Sequence, residues 1–203
     1  MLKLWLPHEP LVLASSSAVR LRLLEAAGLE PVSVVPEIDE RELESTFPGN
    51  SPAAIALILA RAKAQDVSSK YPGRIVIGAD QVLSLGIDVL HKAHSISTAR
   101  DHLMKLRGCE HRLDAAVAVA CDSKVLFEFT SPVKLTMRTF SNRFLDSYLE
   151  ACGSSILGSV GCYHIEGMGI HLFDAIDGDI HTIMGLPMLP LLEFFRTQGL
   201  MSS

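Results

Sequence analysis

The feature that most constrains the fold is a change of pattern near the middle of the chain. Up to residue 108 short apolar strands alternate with helices, and three strands then follow in series: Leu113–Cys121, Lys124–Phe129 and Val133–Arg138. Strands separated by a helix can pair in parallel, whereas strands joined by short turns pair antiparallel. The pattern therefore predicts an α/β protein built on a mixed β-sheet, and not a regular repeat of strand-helix-strand units.

Turn and capping residues mark the other predicted elements. Strands are predicted at Leu11–Ala14, Val32–Val35, Arg74–Ala79 and Ile170–Ile176, with a hairpin over Gln81–Leu90 that turns near Gly86. Helices are predicted over Ala18–Ala27, which Gly28 ends, from Ser51 and Pro52 to about Ser69, from a cap at Ser97 or Thr98 to Gly108, from Ser141 to Cys152, and from Pro187 onward. The chain has 203 residues, so we expect one domain over residues 1–203.

The composition excludes several classes of protein. Lys and Arg number 18 against 23 Asp and Glu, a formal net charge of −5, so no overall positive field attracts nucleic acid or an anionic membrane surface. Hydrophobic residues make up 48%, yet no uncharged apolar stretch reaches the roughly 18 residues that a spanning helix needs. We therefore expect neither a nucleic-acid-binding nor a membrane protein, and any phosphate must be bound by a local pocket.

The cysteines and the N-terminus indicate the compartment. Four widely spaced cysteines form no C-x-x-C pair: Cys109, Cys121, Cys152 and Cys162. They are interpreted as reduced, mostly buried residues, not as zinc ligands or a disulfide framework. Pro7 and Pro10 interrupt the apolar start of the chain before it reaches the length of a signal peptide's apolar region. We therefore expect a cytoplasmic protein.

A serine-rich loop follows the first predicted strand. Ser15, Ser16 and Ser17 lead into a helix that carries Arg20. Free backbone N–H groups at a helix N-terminus, together with hydroxyls and a guanidinium, favour an anion such as phosphate. The glycines and the G-K-[ST] ending of a Walker A loop are missing. These residues alone support two interpretations equally: a phosphate-binding loop, or serines that only cap a helix beside a solvated arginine.

Two charged residues stand out around the next strand. Asp80 follows the apolar run Ile75–Ala79, at the carboxyl end of a strand, where open α/β sheets bind ligands. Lys63 lies in line with Ile55 and Leu59 on the helix face that should be buried, where a charge needs a partner. The structural alternatives are an aspartate that caps a turn and a lysine whose stem passes its apolar neighbours to reach solvent.

Acidic residues give weaker signals. The run from Glu37 to Glu44 lacks the apolar spacing of a helix or strand and is predicted to be a loop. Within it, Asp39 and Glu40 could hold a hard cation such as Mg²⁺, although a charge run is more often a solvated surface. Glu166 lies between a strand-like segment, Gly161–Ile165, and two glycines, a setting for a ligand-facing carboxylate or for a simple turn.

Other candidate residues do not assemble into a known site. His91 and His94 lack a third ligand at metal-binding spacing. Lys92, between them, has the local character of a surface lysine. The serines lie outside any G-x-S-x-G sequence, which disfavours a serine hydrolase.

In order and spacing these positions resemble the Maf family of nucleoside triphosphate pyrophosphatases over nearly the whole chain. Its motifs are matched, wholly or in part, by Leu13–Arg20 (L-A-S-x-S-P-R-R), Ala60–Ala64 (L-A-x-x-K-A), Gly78–Gln81 (G-[AS]-D-[TQ]), Lys92 (G-K-P), Ile165–Gly169 (G-x-G) and Gly178–Pro187 (V-G-L-P). The resemblance implies a Maf/ITPase-like fold, a single domain of two lobes around a bent mixed β-sheet with a central cleft.

The resemblance also implies roles for individual residues. Asp80 is the catalytic carboxylate, and Glu40 and Asp80 hold a divalent metal, Mg²⁺ or Mn²⁺. Phosphate binding is assigned to Ser15, Ser17, Arg20, Lys63 and Lys92. The implied protein is a homodimer that hydrolyses a nucleoside triphosphate to the monophosphate and pyrophosphate. The alternative is a non-catalytic nucleotide-binding regulator of septum formation and cell division on the same fold.

Three positions are assigned to substrate specificity. The subgroup similar to 7-methyl-GTP pyrophosphatases pairs a Gln after the catalytic Asp with a Glu in the late loop, as Gln81 and Glu166 do here. A buried Glu166 would accept hydrogen bonds from a guanine edge or attract the positive charge of a methylated ring. Ala18 and Val19 replace the family's Pro and its following Arg or aromatic residue, so Val19 bears on substrate identity. Ala93 replaces the Pro of the G-K-P segment.

Overall fold

The computed structural model describes residues 4–47, 49 and 51–202. Its strands are β1 (Val12–Ala14), β2 (Val32–Val34), β3 (Val76–Leu85), β4 (Asp88–Leu90), β5 (Glu110–Cys121), β6 (Lys124–Met137) and β7 (Phe173–Asp177). Its α-helices are α1 (Ala18–Ala26), α2 (Glu40–Thr46), α3 (Pro52–Lys70), α4 (Ile96–Leu106), α5 (Asn142–Cys152), α6 (Ile180–Ile183) and α7 (Met188–Thr197). Two 3₁₀ segments cover Gly153–Gly158 and Met168–Leu172.

The strands form one mixed sheet, as predicted. Its order is β2-β1-β3-β5-β6-β7, and β4 pairs with β3. In the first half of the chain, where helices connect the strands, β1 pairs in parallel with both β2 and β3. The strands of the second half are antiparallel, in the pairs β3-β5, β5-β6 and β6-β7. The change of pattern along the sequence thus corresponds to a change of strand direction within the sheet.

Two central strands are longer than predicted. Strand β3 does not end at Ala79 but continues to Leu85, because residues 80–84 pair with residues 112–116 of β5. Asp80 therefore lies within a strand and not at its end. Strand β6 is one strand and not two, because Pro132 is paired with Asp114 of β5 and does not interrupt it. Strand β7 pairs with β6 only from Lys134 onward, so the other edge of β6 is unpaired at Pro132. Proline is tolerated in such an edge position.

The late segments also differ from the prediction. The strand predicted from Ile170 begins at Phe173, because Met168–Leu172 forms a 3₁₀ turn. The strand-like segment Gly161–Ile165 is a turn and loop. Gly169 explains the tight course, since a Cβ there would lie 2.4 Å from the carbonyl oxygen of His164. A glycine packed this closely lets the chain fold back where a strand would have run straight.

Most helices begin and end where capping residues predict. Ser51 and Ser141 accept backbone N–H bonds at the starts of α3 and α5, and Gly28 follows the end of α1 with a φ of +76°. The cap of α4 is Ser95, which accepts the N–H of Thr98, and the prediction of Ser97 or Thr98 is wrong by two or three residues.

The acidic run contains a helix where a loop was predicted. Glu40–Thr46 form α2, and the Asp39 side chain accepts the N–H of Glu42 at 3.0 Å. Acidic residues in a first turn interact favourably with the helix dipole. None of the residues of α2 is buried, which explains why apolar spacing gave no sign of it.

Separate hydrophobic clusters form the two predicted lobes. One contains Leu24 and Phe195 and packs α1 and α7 near Ile77, in the first half of β3. The other contains Leu103 and Leu145 and packs α4 and α5 near the second half of β3. The long strands β3, β5 and β6 pass from one cluster to the other. This arrangement leaves space between the lobes above the middle of β3.

Helix α3 packs unusually close to β3. Ala60 and Ala64 face the sheet from α3, and a Cβ on Gly78 would lie 2.1 Å from the carbonyl oxygen of Ala60. Real Cβ atoms do not approach backbone this closely, so only glycine fits at position 78 without a shift of the helix. The close packing places Lys63, on the same helix, beside the middle of β3.

The fold has two further features that bear on function. Among the described residues, no helix has both the length and the apolar character required to cross a membrane. The four cysteines are free thiols, but Cys162 alone among them is buried, so the expectation that most of them are buried is wrong.

Candidate active site

A cleft of about 690 Å³ lies between the two lobes. Its walls come from the start of α1, from α2 and α3, from the middle of β3, from the segment after β4 and from the loop over residues 155–166. All ten residues to which the resemblance assigns a role line this cleft: Ser15, Ser17, Val19, Arg20, Glu40, Lys63, Asp80, Gln81, Lys92 and Glu166. Asp39, the other candidate for binding a cation, does not line the cleft and caps α2 instead.

The most distinctive group in the cleft is a buried lysine held by two carboxylates. The Lys63 side chain is 7% exposed, and its Nζ lies 2.5 Å from Oδ1 of Asp80 and 2.9 Å from Oε1 of Glu40. The alternative that the Lys63 stem reaches solvent is therefore wrong. Two carboxylates therefore share one ammonium group.

Arg20 is fixed in the wall of the cleft. Its Nε donates to the carbonyl oxygen of Gly185 at 2.8 Å, and its Nη1 donates to that of Ala79 at 2.8 Å and to Oγ of Ser15 at 3.4 Å. Burial lowers the pKa of Arg20, whereas the nearby charges of Asp80 and Glu40 raise it. The guanidinium is thus a fixed positive charge in the wall, and not the solvated side chain that was the alternative.

The serine-rich loop caps α1 and faces the cleft at the same time. Ser17 accepts the N–H of Arg20 at 3.3 Å, and Ser15 accepts the N–H of Ser17 at 3.1 Å. Both hydroxyls therefore serve the helix start. Because the N-terminus of a helix favours an anion, capping and phosphate binding are compatible functions of this loop.

Of the three residues assigned to specificity, two have protein partners. Gln81 donates from Nε2 to the carbonyl oxygens of Thr182 and Ile183, each at 3.0 Å. Glu166 is not buried as expected but lies in an exposed turn, where its Oε1 is 3.7 Å from Nη2 of Arg22. Val19 lines the cleft on α1.

Lys92 and two arginines add positive charge to the cleft. Lys92 is exposed and lines the wall near His91 and His94. Arg22 and Arg41 also line the cleft, and sequence analysis did not single them out. Arg22 could have been found from helical spacing, since it lies three residues after Val19 on one face of α1. Arg41 gave no such signal because it belongs to the helix that was predicted as a loop.

A complete metal cage is not present in the part of the chain that the structure describes. Over those residues, no group of three or more His, Cys, Asp or Glu is placed to hold an ion. Glu40 and Asp80 nevertheless converge on one cation, the ammonium of Lys63.

Comparison with known proteins agrees with this arrangement. A family model described as Maf-like protein matches residues 10–198. The chain belongs to the Maf family. The Maf-like region therefore contains the whole cleft, whose lining residues run from Ser15 to Met184.

Full-length relatives of this Maf-like chain carry two kinds of name. It is 47% identical over 199 residues to a nucleoside triphosphate pyrophosphatase of Bradyrhizobium diazoefficiens, with 98% of each chain covered. It is 48% identical to a 7-methyl-GTP pyrophosphatase of Rhizobium johnstonii, with 93% of this chain and 96% of the relative covered. It is 47% identical to a 7-methyl-GTP pyrophosphatase of Brucella abortus, with the same coverage.

Proposed function

We propose that this Maf-like protein hydrolyses a nucleoside triphosphate to the monophosphate and pyrophosphate. The observation that carries the proposal is the buried Lys63 between Asp80 and Glu40, in a cleft that also contains Arg20. The names of the full-length relatives support the same activity. We further propose that the chain works as one domain, in the cytoplasm and as a homodimer.

Positive groups in the cleft match the charge of the substrate. A triphosphate carries several negative charges, and fixed cations in a site with little water stabilise the charge that develops in the transition state. Arg20 and Lys63 are fixed by their protein partners, whereas Lys92 is exposed at the wall of the cleft. We assign the three side chains, with the α1 start at Ser15 and Ser17, to the phosphates.

Asp80 is the general base in this proposal. Its Oδ1 is held by Lys63, so Oδ2 is the oxygen that takes a proton from the attacking water. The water oxygen bonds to the α-phosphorus, and the bond from that phosphorus to the oxygen bridging to the β-phosphorus breaks. Pyrophosphate leaves with the electron pair, and the proton passes from Asp80 to solvent.

The residues present fit a divalent metal that the substrate helps to hold. Mg²⁺ is commonly bound through one or two carboxylates and substrate phosphates, and not by an all-protein cage. Glu40 and Asp80 supply two carboxylates that already converge on one cation. We propose that they hold Mg²⁺ or Mn²⁺, which neutralises phosphate charge when it is bound.

Two residues suggest which nucleobase the substrate carries. We propose that a modified guanine triphosphate, 7-methyl-GTP above all, is hydrolysed faster than dTTP or UTP. Glu166 provides an exposed carboxylate in the cleft, which attracts a cationic ring more than a neutral one. Gln81 anchors the neighbouring turn through Thr182 and Ile183. Relatives named as 7-methyl-GTP pyrophosphatases support this choice.

Pyrophosphate release from a panel of nucleoside triphosphates tests the proposal. We expect release in the presence of Mg²⁺ or Mn²⁺ and its loss on adding a chelator. General-base catalysis contributes about 10² to 10⁴ in rate, so Asp80→Asn should lower kcat by that factor while nucleotide affinity is largely kept. Asp174→Asn, an exposed residue of β7, is the matched control and should leave kcat unchanged.

The same experiment separates catalysis from regulation by binding. Tight nucleotide binding without pyrophosphate release from any substrate would favour the non-catalytic regulator of septum formation. An Asp80→Asn variant with the turnover of the wild type would exclude Asp80 as the base.

A further inference from the structure

Arg22 and Glu166 form an ion pair between the two lobes. Arg22 lies on α1, and Glu166 lies in the turn that precedes the 3₁₀ segment Met168–Leu172. The distance from Nη2 of Arg22 to Oε1 of Glu166 is 3.7 Å, and both residues line the cleft. The carboxylate that faces the substrate is therefore paired with a cation of this chain.

Helix geometry directs Arg22 toward the cleft. Arg22 lies three residues after Val19 and four after Ala18, so it shares one face of α1 with them, and all three residues line the cleft. Leu24 faces the other way and is fully buried in the core. At 1.5 Å per residue, Arg22 lies about 7.5 Å along the helix from the cap at Ser17. Arg22 is thus separated along α1 from the helix start that we assign to phosphate.

The pair is weak and can be opened by a ligand. The side chains of Arg22 and Glu166 are 62% and 33% exposed. Exposed ion pairs change an equilibrium constant by no more than about fivefold. A ligand with a positive or hydrogen-bond-donating group can therefore take the place of Arg22 beside Glu166. When Arg22 stays, it repels a cationic ring at the same position.

We infer that Arg22 is a specificity-determining residue that limits the preference of the cleft for a cationic base. The inference rests on the proposed function, since it concerns the base of the proposed substrate. Arg22 offsets the negative charge of Glu166, so the two residues together set how strongly the cleft distinguishes a charged ring from a neutral one of nearly the same shape. Glu166 favours the charged ring, and Arg22 opposes it.

The test compares 7-methyl-GTP with GTP, which differ at the ring and carry the same triphosphate. Measurements are made in mildly acidic buffer, where the methylated ring keeps its positive charge. We expect Arg22→Gln to raise the ratio of kcat/KM for 7-methyl-GTP to that for GTP about three- to fivefold, mainly by lowering KM for 7-methyl-GTP. Since the effect is electrostatic, it should shrink as salt is raised toward 1 M.

Four further variants, one of them a double variant, make the test specific. Arg22→Lys keeps the charge and should keep the ratio of the wild type. Glu166→Gln should lower the ratio, and Arg22→Gln should then have a smaller effect in that background than in the wild type. Arg41→Gln removes a different positive charge from the wall of the cleft and should leave the ratio within about twofold.

Clear outcomes would overturn the inference. A folded Arg22→Gln protein with an unchanged ratio would refute it, as would an equal change of the ratio in Arg41→Gln. If neither nucleotide is hydrolysed, the proposed function fails on its own, and the ratio of the two dissociation constants then tests Arg22 in the same five variants. A change of both nucleotides by the same factor would show a general charge effect and would also refute a specificity role.

Discussion

Replacing Lys63 with methionine should cost the protein a large part of its stability. Methionine keeps most of the length of the side chain and removes the ammonium. Asp80, which is 8% exposed, then loses the cation 2.5 Å from its Oδ1, whereas Glu40 is half exposed and can be solvated. The cost therefore comes mainly from one buried carboxylate that loses its hydrogen-bonding cation and keeps a Coulombic attraction to Arg20.

The magnitude follows from that burial. Breaking a buried ion pair by removing one partner costs about 3 to 5 kcal/mol. Asp80 lies at the base of an open cleft, where water can partly replace the lysine, so the lower end of that range, about 3 kcal/mol, is expected. For a chain of this size, about 3 kcal/mol lowers Tm by roughly 6 to 12 °C. The double variant Lys63→Met with Asp80→Asn removes the unpaired charge and should recover part of the loss.

Urea unfolding of the variants measures this cost directly. The midpoint should fall for Lys63→Met with an unchanged m value. Lys70→Met is the matched control, because Lys70 lies on the same helix and pairs with Glu37 and Asp66 but is 40% exposed. That change should cost less than about 1 kcal/mol. Equal losses for the two lysines, or a double variant less stable than Lys63→Met alone, would refute the reasoning.

Two other residues give predictions about stability. Gly78→Ala should destabilise the protein by about 3 kcal/mol or more, because its Cβ would meet the backbone at Ala60. Gly158→Ala is the control, since a Cβ there has open space, and it should cost little when both variants are compared by thermal unfolding. Burial lowers the pKa of His111 from 6.5 to about 4 in the folded protein. The contribution of neutral His111 to the free energy of unfolding is therefore fully present above pH 6.5 and is lost as the pH falls toward 4. His111→Gln should remove roughly 2 kcal/mol of that pH dependence, as measured by unfolding at pH 7 and pH 4.5, and a parallel pH dependence in both proteins would contradict the assignment.

The architecture could be predicted because its signals are local. A glycine after α1, a serine and proline before α3 and strands in series each record a nearby constraint, and they led to a mixed sheet of the observed kind. The errors occur where distant contacts decide. The length of β3 depends on its pairing with β5, whose residues follow about 30 positions later, and apolar runs alone do not contain that information.

The helix at Glu40 shows a second limit of sequence patterns. Apolar spacing detects a helix through its buried face, and α2 has no buried residue. The available signal was the cap at Asp39 with acidic residues in the first turn, which is also the composition of a solvated loop. The helix holds Glu40 where its carboxylate reaches Lys63, so the missed element positions one of the predicted site residues.

Residue type and spacing predicted which side chains meet but not what each contacts. Lys63 was singled out because a charge on the buried face of a helix needs a partner, and the structure supplies two. Glu166 was expected to be buried and to accept hydrogen bonds from a guanine edge or attract a methylated ring, but it lies in an exposed turn. Its actual partner, Arg22, comes from a helix more than 140 positions earlier in the chain. On our proposal, selectivity in this cleft therefore depends on competition between a ligand and an arginine of the protein, and not on the cost of burying a carboxylate alone.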